Sequence, residues 1–114
     1  MVFEMRSDSV IAALSALAQE HRLQLFRLLV RVGQQGLPAG RIAQELAVPK
    51  SSLSFHLAQL HEAGLIAQKR EGRSLIYAAN YAAMDDLVGF LTENCCGGDA
   101  CEASGLARRE GAAS

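Results

Sequence analysis

The sequence predicts a mainly α-helical domain that carries one β-hairpin, an α+β arrangement, and three observations predict it. Apolar residues recur at helical spacing in separate stretches. Proline and glycine stand where helices start and stop, and one stretch, 65 to 77, reads as two short strands around a glycine turn.

A first helix is read from Val10 to Ala18, where Val10, Ile11, Leu14, Leu17 and Ala18 share one face and Asp8 or Ser9 is placed to cap the first turn. The second run, with Leu23, Phe26, Leu29 and Val30 and with Leu25 and Leu28 beside them, stops at Gly33. A helix this apolar belongs in the centre. A short third helix opens after Pro38 with Ile42, Ala43 and Leu46 on one face. Proline is favoured in a helix's first turn and disfavoured inside one, so Pro49 marks a fourth helix, which runs to about Ala63 and ends at Gly64. Two short helices joined by a tight turn form a helix-turn-helix. Leu65 to Arg70 and Arg73 to Tyr77 are the strands, turning at Glu71-Gly72. A closing helix from Tyr81 to Thr92 aligns Met84, Leu87, Val88 and Leu91.

With 114 residues, half of them apolar, the chain has the size of one domain with a modest core, the kind often completed by dimerisation. The expected division is a folded domain over residues 1–94 and a partly disordered, cysteine-containing tail over 95–114, rich in Gly, Ala and Ser. No apolar run approaches the roughly 20 residues of a membrane helix, and Met1 to Asp8 lacks a secretory layout, so a cytoplasmic protein without a membrane partner is expected. The net charge of −1 gives no global signature for nucleic acid. Its distribution does: Arg41, Lys50, Lys69, Arg70 and Arg73 outnumber Glu45, Glu62 and Glu71 in the middle segment, and the chain after Asn80 is acidic on balance.

Centring the buried face of the fourth helix on Leu53 places Leu57, Leu60 and Gly64 beside it, and the outer face then holds Ser51, Ser52, Phe55 and Gln59. Hydroxyls and an amide suit base edges or phosphates, and Phe55 suits a thymine methyl as well as it suits a partner or the core. Lys50 adds a phosphate contact at the helix start, and Lys69, Arg70 and Arg73 surround the hairpin turn, where the alternative is a solvated tip. His56 falls at the edge of the buried face and is assigned a packed, hydrogen-bonded role; His21 and His61 stand singly in sequence.

This order of elements, with Leu17-Ala18-Gln19-Glu20-His21-Arg22-Leu23, Ser54-Phe55-His56-Leu57-Ala58-Gln59-Leu60, Ala63-Gly64-Leu65-Ile66 and Arg70-Glu71-Gly72-Arg73 followed by Tyr77, resembles the winged-helix repressors of the ArsR/SmtB family. The resemblance spans Val10 to about Leu91. It implies a non-enzymatic homodimer joined through its first and last helices, with the helix from Lys50 as recognition helix and the hairpin as a wing on the flanking backbone. Its double-stranded operator would be an imperfect palindrome with half-site centres about 34 Å apart. Where many members carry an arginine, this recognition helix has Phe55.

Cys95, Cys96 and Cys101 are every cysteine in the chain, gathered around Gly97 and Gly98. In a reducing compartment an odd cluster of thiols points to metal binding or reactivity rather than to a disulfide, with a tail of unpaired thiols as the plain alternative. The stretch matching the family's well-known arsenic motif, Leu37 to Ala43, has no cysteine, and the last helix offers only Asp85 and Asp86, a weak zinc pair read as a solvated helix start. The three thiols resemble the relocated tail site of arsenite-responsive members. As(III) or Sb(III) takes three thiolates in a pyramid, whereas zinc would draw its fourth ligand from the hard oxygens of Asp99 or Glu102. The expected effector is therefore As(III), with Sb(III) close to it. Cd(II), Pb(II), Bi(III) or an oxidant is the alternative, and a thiol-dependent reductase is a remote one.

Overall fold

The computed structural model describes residues 7–93. The elements run α1 (Ser7–Leu17), α2 (Glu20–Val32), β1 (Leu37–Pro38), α3 (Ala39–Leu46), α4 (Lys50–Glu62), β2 (Ile66–Glu71), β3 (Ser74–Ala79) and α5 (Tyr81–Leu91). All five expected helices and both strands are present. The hairpin gains a third strand, in the order β1-β3-β2, with every pairing antiparallel. β1 escapes a sequence reading because two residues have no periodicity to detect, and Pro38 lies on the edge strand, where a missing N–H is tolerated.

Two boundaries move. α1 begins at Ser7, so Asp8 lies inside its first turn, where its Oδ1 accepts from the Ser9 amide at 2.9 Å. The hairpin pairs Glu71 with Ser74, which makes Gly72-Arg73 the turn in place of Glu71-Gly72. Gly72 takes φ +63°, as the first position of such a two-residue turn demands.

α2 is the centre, packing against α1, α3, α4 and β3. It opens on Gln19, whose side-chain oxygen accepts from the Arg22 amide at 2.9 Å. Its Leu25 and Leu29 are fully buried with Ile42 of α3, Leu53 and Leu60 of α4, and Leu65. Each such leucine contributes about 1.5–3 kcal/mol by leaving water. On α1 the buried residues are Val10, Ala13 and Ala16, while Ile11 and Leu14, expected on the inner face, are exposed. The pattern showed an apolar stripe but not how much of it the subunit itself covers.

The turn between α3 and α4 is held by Ala47, in the left-handed region at φ 54°, with the Val48 amide donating to the Ala43 carbonyl at 3.2 Å. Buried Val48 pins this costly conformation. At the other end, Asn80 donates through Nδ2 to the Gly64 carbonyl at 3.0 Å and caps α5 by accepting from the Ala83 amide at 3.2 Å. The Tyr81 hydroxyl donates to the Val30 carbonyl at 2.8 Å and so ties α5 to the end of α2.

His56 is 8% exposed, in agreement with its expected packed role. Sequence distance concealed its company, however: the His21 ring lies 5.6 Å away, centroid to centroid, and the Arg22 guanidinium is 3.5 Å from His56 Nδ1. Arg22 Nε donates to the Ala16 carbonyl at 2.6 Å, so one arginine of α2 touches both α1 and α4. Burial, then the nearby charges of Arg22 and His21, hold the His56 pKa below its ordinary 6.5.

Two predictions follow from this packing. Gly36 has φ +69°, and a Cβ there would overlap the Tyr77 carbonyl oxygen. Gly36→Ala is therefore expected to cost about 2–4 kcal/mol in chemical denaturation by strain and overpacking; a change near zero would show that β1 does not press on β3 as described. For His56 the folded pKa is the lower one, so unfolded chains take up the proton first as pH falls. Its stabilising contribution is complete above the unfolded value near 6.5 and is lost as pH drops through the folded value. The stability gap between the parent and His56→Gln should narrow between about pH 7.5 and pH 5; a constant gap would contradict this.

Candidate nucleic-acid interface

The side of α4 turned away from the core is built by what the core takes. Leu53, His56, Leu57 and Leu60 are buried, and helical geometry then leaves Lys50, Ser51, Ser52, Ser54, Phe55 and Ala58 in solvent. Phe55 is 58% exposed, a large apolar ring held outward among hydroxyls. Its ring meets His56 edge-on at 5.9 Å, which links the outward ring to the packed one. Lys50 begins the helix and borders α3.

Gln59 departs from the expected outward position. It is half-buried and lines a cleft with Ser15 of α1, Arg22 and Glu62. Ser54 has no site role in the sequence reading. It is exposed and, with Ala58, His61, Gln68 and Tyr77, lines an open cleft of about 430 Å³ between α4 and the sheet. The docking of the hairpin against α4 makes Ser54 part of a cleft wall, which helical periodicity alone does not show.

On the wing, Lys69 and Arg70 of β2 and Arg73 of the turn are all exposed. They are not equivalent. Lys69 Nζ lies 3.6 Å from the Glu71 carboxylate, two residues along the same face of the strand. This solvated pair is weak and gives Lys69 a competitor that any external anion must displace.

Cys95, Cys96 and Cys101 lie outside the described residues. Among the described residues no three histidine, cysteine or carboxylate side chains gather closely enough to hold a metal ion, and no helix is long and apolar enough to cross a membrane. Asp85 is exposed, but Asp86 is half-buried and its Oδ2 has no hydrogen-bond partner among the described residues. Neither marks the start of the last helix as expected, since the first turn of α5 carries no acidic residue, and only Asp85 of the pair is solvated. Ile11 (66% exposed) and Leu14 on α1, with Val88 (54%) and Leu91 (57%) on α5, leave apolar side chains in solvent on two helices that pack together.

A helix-turn-helix domain family matches residues 17–69, which run from the end of α1 into β2. The solved structure of HlyU from Vibrio cholerae is 30% identical, covers 78% of this chain and 97% of its own, and superposes with a TM-score of 0.61. A homodimeric winged helix-turn-helix DNA-binding domain from Mycobacterium bovis, described as a possible ArsR-family regulator, is 28% identical over 76% of this chain and 81% of its own, with a TM-score of 0.60. A putative arsenical resistance operon repressor of Halobacterium salinarum is 36% identical over 66 residues, 58% of this chain and 50% of that protein. By sequence likeness, shared architecture and the exposed face of its fourth helix, the chain belongs to the ArsR family of winged helix-turn-helix transcriptional regulators, which bind DNA.

Proposed function

We propose that the chain is a homodimeric repressor that holds an imperfectly palindromic operator and releases it when As(III), or Sb(III), binds Cys95, Cys96 and Cys101. The observation that carries the effector assignment is chemical: every thiol of the chain lies in one short stretch that starts four residues after α5 ends at Leu91. Arsenous acid exchanges each of its three hydroxyls for a cysteine thiol, an As–S bond replacing an As–O bond and the thiol proton leaving with the hydroxyl as water, and this donor set needs no fourth ligand. Soft sulfur also disfavours hard cations. The arsenical repressor of Halobacterium salinarum supports this reading only at the level of family likeness, because HlyU, of comparable identity, is named a transcriptional activator.

For DNA, Ser51, Ser52 and Phe55 are the proposed groove contacts of α4, Lys50 is a phosphate contact at its start, and Arg70, Arg73 and, after release from Glu71, Lys69 are the wing's phosphate contacts. Phe55 supplies an apolar contact where a thymine methyl projects. The exposed apolar side chains of α1 and α5 are the proposed seam between subunits, and the cysteines follow α5 directly. A ligand captured there acts on the spacing of two reading heads. Moving such a dimer from 1:99 to 99:1 takes about 5.5 kcal/mol of preference for the released form. A response to thiol oxidation in the same fold is the second reading, and a related structure described as reduced HlyU favours keeping it.

Cys95→Ser with Cys96→Ser should stay on a selected operator fragment, in an electrophoretic shift, at arsenite concentrations that release the parent. Release of the double variant at the same concentration would place the sensor elsewhere, and release of the parent by peroxide but not by arsenite would favour the second reading. For the seam, Val88→Glu is expected to shift the protein from dimer to monomer in sedimentation and to weaken operator binding at least tenfold, as burying an unpaired charge predicts. An unchanged dimer would remove α5 from the interface.

A further inference from the structure

A cleft of about 480 Å³ separates α3 from the start of α4, lined by Pro38, Gly40, Arg41, Ala43, Gln44 and Lys50. Two cations line it from two different helices, and the Gln44 amide is part of the same lining. The wing and the outward ring of Phe55 take no part in it. Arg41 Nη2 is 3.7 Å from the Glu45 carboxylate one helical turn along, and both side chains are largely in solvent. Such an ion pair is weakly held and readily exchanged.

We propose that this cleft seats a phosphate of the DNA backbone, gripped by Arg41 and Lys50 with Gln44 as an amide donor, and that Glu45 is an internal competitor which the phosphate displaces from Arg41. The proposal rests on the DNA-binding reading and adds an anchoring point whose lining includes no residue of the wing. A guanidinium matches two phosphate oxygens at once, a geometry a lysine does not offer. Lys50 is the first residue of α4, so a contact there fixes how deeply the helix end enters the groove. Backbone contacts of this kind set register and orientation and leave base choice to the outward face. The amides of the first turn of α4 add partial positive charge beside the cleft, since Pro49 offers no capping side chain.

The test is the salt dependence of binding to a fluorescein-labelled mixed-sequence duplex, read by anisotropy for the full chain and three variants. Each phosphate contact contributes about 0.9 to the slope of log K against log salt, so Arg41→Gln, with one cleft per subunit of a dimer, should lower the slope by about 2 and weaken every sequence alike. Glu45→Gln should do the opposite, tightening binding and steepening the slope. Gly40→Glu adds a carboxylate to the lining at a position where a Cβ meets nothing within 4 Å; it should weaken binding at low salt without unfolding the helix, as circular dichroism would show. A parent slope retained in Arg41→Gln overturns the proposal while leaving DNA binding intact, and no gain in Glu45→Gln overturns the competitor role. A parent that fails to bind the duplex at low salt overturns the DNA-binding reading itself. Calorimetric titration of inorganic phosphate into the free protein should show no saturable binding; binding that Arg41→Gln abolishes would mark a free-anion site instead and overturn the backbone assignment.

Discussion

The reading surface depends on one constraint: the inner side of α4 must be held firmly enough that its outer side keeps a fixed presentation. A helix of 13 residues has little stability of its own in water. Leu53, Leu57 and Leu60 supply the apolar part of the hold against α2. Arg22 supplies the directional part, since its side chain reaches the Ala16 carbonyl of α1 and Nδ1 of His56 on α4. Apolar contact alone would tolerate some rotation of α4 about its axis. The guanidinium adds a polar contact that apolar packing lacks, 3.5 Å from His56 Nδ1, and a neutral His56 is the form that can accept from it.

Charge is deployed sparingly on this surface. The chain is close to neutral overall, and two of its exposed cations, Lys69 and Arg41, sit beside a carboxylate on the same element, Glu71 and Glu45. Both pairs are solvated and weak, so they lower the affinity for any polyanion without preventing a well-placed phosphate from winning. The exposed ring of Phe55 offers apolar surface, whose contacts salt does not screen.

Much of this was legible in the sequence because the signals were local. Proline at 38 and 49, glycine at 33, 64 and 72, and the leucine spacing of α2 and α4 place the elements and the buried face of α4 without any tertiary information. What stayed hidden was whatever depends on docking. The two-residue β1 has no pattern of its own; His21 and His56 are neighbours only because α2 and α4 cross; and Gln59 and Ser54 changed significance once α1 and the hairpin were in place. Ile11 and Leu14 were legible as apolar but not as exposed, since the periodicity of an apolar stripe does not tell how much of it the subunit's own core covers.

The central claim is that two copies of α4 face the same side of a duplex, each with a wing beside it. Hydroxyl-radical footprinting of the full chain on an operator fragment obtained by in vitro selection tests this most directly. Two protected windows centred about one helical turn apart, about 34 Å, each with an outer flank protected by the wing, are the expected result. A single window, or two at a spacing that no two-fold dimer of this fold can span, would contradict it.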